Sequence, residues 1–396
     1  MEFSMAVKFA LYTVWSENSL PIRSKIDFEI HRQNTEHRNI SRVASAALLG
    51  YGGALTIMNR KPTMLQTGAV ALLAGFLFAR CHAPNTEPDL RLRVGSDVQQ
   101  YAWDTGWLKM PEGMPIGNTH GGIAEGADGK IYISTDSKHA ILVCQPDGTV
   151  VDHWGEELAG GVHSICLSEE DGVEYLYLPH HSQRNVFKYT TSGEKVWELG
   201  YPEESKLYQD PNRYHPTGVA VRPDGCFYIA DGYGLGYIHF YNADGKYQSS
   251  FGGGGKEPGK FTTPHGLMWD EYNGESRVVV ADRENGRIQF FHADGSYDRL
   301  IDGHFRRPCS VQRHGDELLV SDLAGRVTVV NEKKGYVQQI CDQPLAELRA
   351  RNGIPADKWK DGEFLSPHFA AWDSDGNIYV QDWNFLGRIT RLERVR

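Results

Sequence analysis

Residues 215–251 read HPTGVAVRPDGCFYIADGYGLGYIHFYNADGKYQSSF. Three short runs rich in β-branched and aromatic residues, PTGVAV, CFYIAD and IHFYNA, are set apart by turns containing Asp-Gly. Such runs predict consecutive antiparallel strands, because these side chains suit a pleated sheet and Gly supplies the tight turn. The unit recurs along the chain. Its second strand returns as KIYISTD (130–136), EYLYL (174–178), RVVVAD (277–282), ELLVSD (317–322) and NIYVQD (377–382). Its third strand returns as ILVCQPDG, VFKYTTSG, IQFFHADG, VTVVNEKKG and ITRLERV. The first-turn glycines, Gly129, Gly172, Gly225, Gly274, Gly315 and Gly376, are spaced by 43, 53, 49, 41 and 61 residues.

Short strands punctuated by Gly turns at this period mark propeller blades, each unable to bury its two faces alone. Six copies predict an all-β, six-bladed β-propeller over residues 99–396. The sixth unit runs out of chain after RITRLE. Residues 99–108, QQYAWDTGWL, resemble the outer strands VVDHWG (150–155) and KVWELG (195–200). They are expected to supply the missing outer strand and so close the ring.

The 396 residues are 40% hydrophobic and 23% charged, the balance of a globular chain long enough to bury its core without disulfide staples. Cys144, Cys166, Cys226 and Cys341 fall in or beside strands and are expected as buried free thiols, with no obligatory disulfide. A net charge of −10 argues against a nucleic-acid partner. Residues 1–63 stand apart, with 8 Lys/Arg against 5 Asp/Glu. Within them and just beyond lie two apolar runs, 44–58 and 64–79. The second has Arg60-Lys61 before it, the pattern of a secretory signal. Residues 58–83 are therefore expected as a signal peptide or membrane anchor, 1–57 as an atypical extension ahead of a start near Met58, and 84–98 as a linker. The expectation that follows is an exported monomer, periplasmic, extracellular or membrane-anchored.

The first strand of a blade lines the channel. Aligned, the six read THGGIA (119–124), VHSICL (162–167), PTGVAV (216–221), PHGLMW (264–269), PCSVQR (308–313) and PHFAAW (367–372). His163, His265 and His368 fall in blades two, four and six, about 120° apart around a six-bladed ring. Three imidazoles converging on an axis, with a fourth position open, suit Zn²⁺. His120, His215 and Cys309 lie near the mouth and are candidate substrate contacts. Tyr233 and Arg283 follow the second strands of blades three and four, where rim loops aim side chains at an axial ligand. The repeated strand-end aspartates, Asp231, Asp282, Asp322 and Asp382, read instead as partners of backbone N–H groups.

The segments FTTPHGLMW and VVVADRENGRIQFF resemble the catalytic core of peptidyl-α-hydroxyglycine α-amidating lyase, and HPTGVAVRPDGCFYIADGYG and VHSICLS…NVFKY resemble the neighbouring blades of that family. More loosely, the repeats resemble NHL repeats. The resemblance implies Zn²⁺ on His163, His265 and His368, Tyr233 as the base and Arg283 in the same site. It implies cleavage of a C-terminal α-hydroxyglycine, held in the central channel, to an amide and glyoxylate. It also implies a structural calcium and a disulfide. However, Phe369 stands at the family's calcium-binding Asp, and Gly234 and His215 stand at its two cysteines. The family's blade-one arginine has no counterpart in NTHGGIAE. A metal-dependent hydrolase or lactonase on a small molecule, and a non-catalytic NHL-type binding propeller, are the alternatives.

Overall fold

The computed structural model describes residue 89 and residues 91–395. The expectations for 1–57 and 58–83 lie outside the described residues. Those from 91 onward form six antiparallel sheets, five of four strands and one of five, in a closed ring. No α-helix occurs among the described residues; the helical elements there are short 3₁₀ turns in some of the connections between strands. None of these is long and apolar enough to cross a membrane.

Blade three shows why these sequences make blades. Its strands are Gly218–Val221, Phe227–Ala230, Tyr237–Tyr241 and Tyr247–Gly252. Along Phe227–Ala230 successive side chains point to opposite faces. Phe227 and Ile229 pack against blade two, whereas Tyr228 and Ala230 pack against blade four. Both faces are buried, so the strand reads as continuously apolar. Six such clusters occur, one at each junction between neighbouring blades, including the junction of blade six with blade one. The first-turn glycines all have positive φ, from 58° at Gly315 to 79° at Gly376, a region that Gly enters without steric penalty.

Blade six is built from both ends of the described chain. Its strands Pro367–Trp372, Ile378–Asp382 and Arg388–Arg394 are followed on the outside by Gln100–Asp104. Tyr101 pairs with Arg394 and Asp104 with Arg391, so the sequence-expected closure is present. Tyr101 and Trp103 are almost fully buried in the cluster shared with blade five. One further strand, Arg93–Gly95, lies outside it, within the stretch expected to be a linker. Its hydrogen bonds to residues 100–102 give order to a polar segment that has no burial pattern of its own.

The strand-end aspartates do what their repetition suggested. Each accepts backbone N–H groups from the segment that enters the first strand of its own blade. Asp231 takes His215, Asp282 takes Thr262, Asp322 takes Arg306 and Arg307, and Asp382 takes Leu365 and Ser366. These clasps fix where each inner strand starts, and hence which residue reaches the axis. Cys144, Cys166, Cys226, Cys309 and Cys341 are free thiols.

Candidate metal centre

Each axial histidine is aimed by the next blade. Nδ1 of His163 lies 2.8 Å from the carbonyl of Thr217, that of His265 lies 3.0 Å from Cys309, and that of His368 lies 3.2 Å from Gly121. A carbonyl can only accept, so each Nδ1 carries the proton and each Nε2 presents a lone pair. The three rings are buried, with centroids 4.5, 4.7 and 4.8 Å apart. Burial holds His163 and His265 well below the ordinary imidazole range and His368 down to about 3. Neighbouring charges add to this: the other imidazoles first at His163, and Arg283 at His265 and His368. Neutral imidazole is the form that ligates a metal.

The Tyr233 hydroxyl lies 3.1 Å from Nε2 of His163 and 3.0 Å from Nε2 of His265. Nε2 of His368 is buried without a partner. One phenolic proton therefore serves His163 and His265, and the His368 lone pair has no partner. Buried neutral imidazoles with inward lone pairs are a donor set that fits a cation.

Blade one breaks the alternation. The residue whose carbonyl fixes His368 is Gly121, and His120 precedes it by one position. The His120 ring stands 4.5 Å from that of His368 and 5.0 Å from that of His163. His120, His163 and His368 offer nitrogens within 4.8 Å of one another; His265 is not in that group. His181, which sequence reading did not single out, adds a fifth ring 5.6 Å from that of His120 and 5.7 Å from that of His163, and three of the five imidazoles, His120, His163 and His368, could hold a metal ion. Behind His120, an Asp136 oxygen lies 3.8 Å from Nδ1. Burial holds His120 neutral, so this contact is not an ion pair. Burial also pushes the Asp136 carboxyl up to about 6, against a hydrogen bond from Asn118.

Tyr233 is carried on a clasped loop. Asp231 accepts from the N–H groups of His215 (2.7 Å) and Leu235 (2.6 Å) and from the Tyr208 hydroxyl (2.7 Å). A Cβ on Gly234 would fall 1.9 Å from that carboxylate, so the position admits only Gly. The two positions that the resemblance assigns to a disulfide are thus filled by a hydrogen-bonded clasp. The His215 ring is tied to the His181 carbonyl at 3.0 Å and lines neither cavity described below.

Nη1 of Arg283 donates to the Tyr233 oxygen at 3.0 Å, and its Nε donates to Glu284 at 2.9 Å. Burial raises the Tyr233 phenol and Arg283 opposes that rise. Cys309 is a buried thiol pushed up to about 12 by desolvation, with Arg283 again opposing. A cavity of about 330 Å³ opens over the group, lined by His120, His368, Tyr233, Arg283, Arg307 and Trp383 among others. Arg307, tied to Glu284 at 2.5 Å, gives the cavity a second guanidinium. Sequence reading had not singled out Arg307, Asp136 or Trp383. The available signal for Arg307 was its place directly before the aligned Pro308, where blade four carries Thr263.

No protein-family model matches the chain. Over 246 residues it is 32% identical to peptidyl-glycine alpha-amidating monooxygenase A of Xenopus laevis, covering 55% of this chain and 25% of that protein. Over 272 residues it is 27% identical to peptidyl-alpha-hydroxyglycine alpha-amidating lyase 1 of Drosophila melanogaster, covering 62% and 47%. It is similar to the amidating enzymes. It is also 30% identical over 210 residues to NHL repeat-containing protein 3 of Homo sapiens, covering 50% of this chain and 57% of that protein. The matched region is thus about a quarter of the monooxygenase and about half of the other two relatives. Among solved structures, a streptogramin B lyase superposes with a TM-score of 0.50 at 15% identity, covering 75% of this chain and 99% of that one. That likeness is one of fold alone.

Proposed function

We propose that the chain is a zinc-dependent lyase of the amidating type, cleaving the C–N bond of an α-hydroxyglycine-like substrate to an amide and glyoxylate. The observation that carries this reading is the Tyr233 hydroxyl, held within 3.0–3.1 Å of two imidazole nitrogens and the Arg283 guanidinium. His163 and His368, with His265 or His120, would hold the metal, which when bound acts as a Lewis acid on the substrate oxygens.

The chain's own residues do the rest. Tyr233 takes the proton of the carbinol hydroxyl. A free phenol titrates near ~10, and Arg283 at hydrogen-bond distance favours the phenolate. As the C–O bond becomes a carbonyl, the C–N bond breaks with its electron pair on nitrogen. That nitrogen takes up the proton held by Tyr233 and leaves as the amide. Arg283 and Arg307 offer forked donors to the substrate carboxylate. Calcium is left out, because Phe369 packs in the apolar cluster between blades six and one and carries no oxygen donor. Action outside the cytoplasm is part of the proposal and rests on the signal-type run at 58–83.

The test is glyoxylate release from an α-hydroxyglycine peptide, with zinc content measured on the same sample. Tyr233→Phe should lower turnover by roughly 10²–10⁴, the usual worth of a positioned base, with zinc content and melting temperature unchanged. Unchanged turnover would remove Tyr233 from the mechanism, and no glyoxylate from zinc-loaded wild type would sink the lyase. The likeness to an NHL repeat-containing protein supports a second reading, a non-catalytic binding propeller. It predicts a protein that retains no zinc and stays folded when the axial histidines are changed to Ala.

A further inference from the structure

The longest spacing between first-turn glycines, 61 residues, separates blades five and six. The excess chain forms a strap between the strands Tyr336–Ile340 and Pro367–Trp372. Its middle is pinned at residues 350–352. Ala350 donates its N–H to the Leu365 carbonyl at 3.3 Å and is held at φ 53°, a conformation that costs a non-Gly residue. The Ser366 hydroxyl accepts from the Arg351 N–H at 2.9 Å and donates to the Arg351 carbonyl at 3.1 Å. The Asn352 amide reaches across to Asn118 of blade one at 3.1 Å.

Between this strap and blades one, two and six lies a cavity of about 590 Å³. It shares His120, Ala350 and Trp383 with the cavity over Tyr233, so a substrate reaching the histidines can extend into it. Arg351 and Phe385 also line it. Arg283 and Arg307, the other guanidiniums lining the two cavities, are both engaged by protein oxygens. The Arg351 side chain is exposed and has no hydrogen bond or ion pair among the described residues. Asp136, the cavity's carboxyl, is turned onto the Asn118 amide.

Resting on the lyase reading, we propose that this cavity is the subsite for the acyl side of the substrate. Arg351 selects a carboxylate next to the scissile amide, that is, a peptide whose residue before the glycine is Glu or Asp. The guanidinium makes a charge-assisted, forked contact with the carboxylate, and Trp383 and Phe385 flank the methylene stem.

The test is calorimetric titration of zinc-loaded protein with N-acetyl-glutamyl-glycine and N-acetyl-leucyl-glycine, which lack the hydroxyl and do not turn over. The glutamyl peptide should bind wild type about tenfold more tightly than Arg351→Gln, while the leucyl peptide binds both alike; Arg351→Lys should keep most of the preference. Equal losses for both peptides, no loss for either, or no binding of either to wild type overturns the subsite. Glyoxylate release from the hydroxylated peptides is measured separately. Its absence alongside intact glutamyl selectivity overturns the lyase and leaves the subsite standing.

Discussion

His163, His265 and His368 share one aim because each ring is tied to a carbonyl one blade further on. His163 and His368 belong to both triads that the geometry offers. Alanine at either should lower bound zinc, read by elemental analysis, by more than the roughly 10–100-fold worth of an outer-shell partner. His120→Ala and His265→Ala compared in the same assay identify the third ligand; full zinc in all four variants would rule out the centre. The same burial makes stability depend on pH. Imidazoles in the unfolded chain take protons below about 6.5, whereas His181 and His368 in the fold do so only near about 4 and about 3. The unfolded state then binds more protons, so stability falls as pH is lowered, by up to about 1.4 kcal/mol per pH unit for each such group. Asp136, raised to about 6, and Asp231, Asp282 and Asp382, also raised by burial, act in the opposite sense, but they are four carboxyls against eight lowered imidazoles. Melting of metal-free protein should therefore drop steadily from pH 7 to pH 4, and a flat profile would contradict the buried neutral state. The axial histidines were legible because a repeat register carries residue i of one blade onto residue i of the next. His120 was read as a substrate contact and not as a ligand; the alignment set it level with the three, whereas the fold shifts blade one by a residue and puts Gly121 where blades three and five have Thr217 and Cys309.

Among elements, the strands and their turns were readable because Gly and alternating large apolar residues are local signals. The strap was visible only as an unusually long spacing, and its pinning depends on Ser366 and Asn118, distant in sequence from Arg351 and Asn352. Arg93–Gly95 had no local signal, because an edge strand of three residues needs only a neighbour with free N–H and C=O groups. The strand Gln100–Asp104 carries more. It inserts Tyr101 and Trp103 into the junction of blades five and six. Truncating a buried Trp alone costs about 3–5 kcal/mol. Deletion of residues 99–110 should therefore abolish the cooperative thermal transition, and a deletion variant that melts like the full chain would show that the closure contributes nothing.

At the scale of the whole molecule, six junctions of equal kind make a ring in which no blade is independent. Repeat counting could see this, since each blade contributes the same two faces. Part of the cavity over Tyr233 follows the same register, since Arg283, Leu323 and Trp383 each come directly after a strand-end Asp, but the wall at Ala350 could not be seen that way, because the strap has no counterpart in the other blades. The ring's seam has a mechanical consequence. Tyr101 faces Arg394 while Asp104 faces Arg391, so both chain directions leave the seam at the same end. Arg91 is folded back beside Asp104 at the other end, but tension between residues 99 and 395 would load the hydrogen bonds of the seam in succession, like a zipper, never as a block in shear. Single-molecule pulling from those positions should open blade six first and at low force; rupture of the whole ring in one high-force event would contradict it. A propeller that resists heat through its closure is thus easily undone by traction at the very point where it is closed.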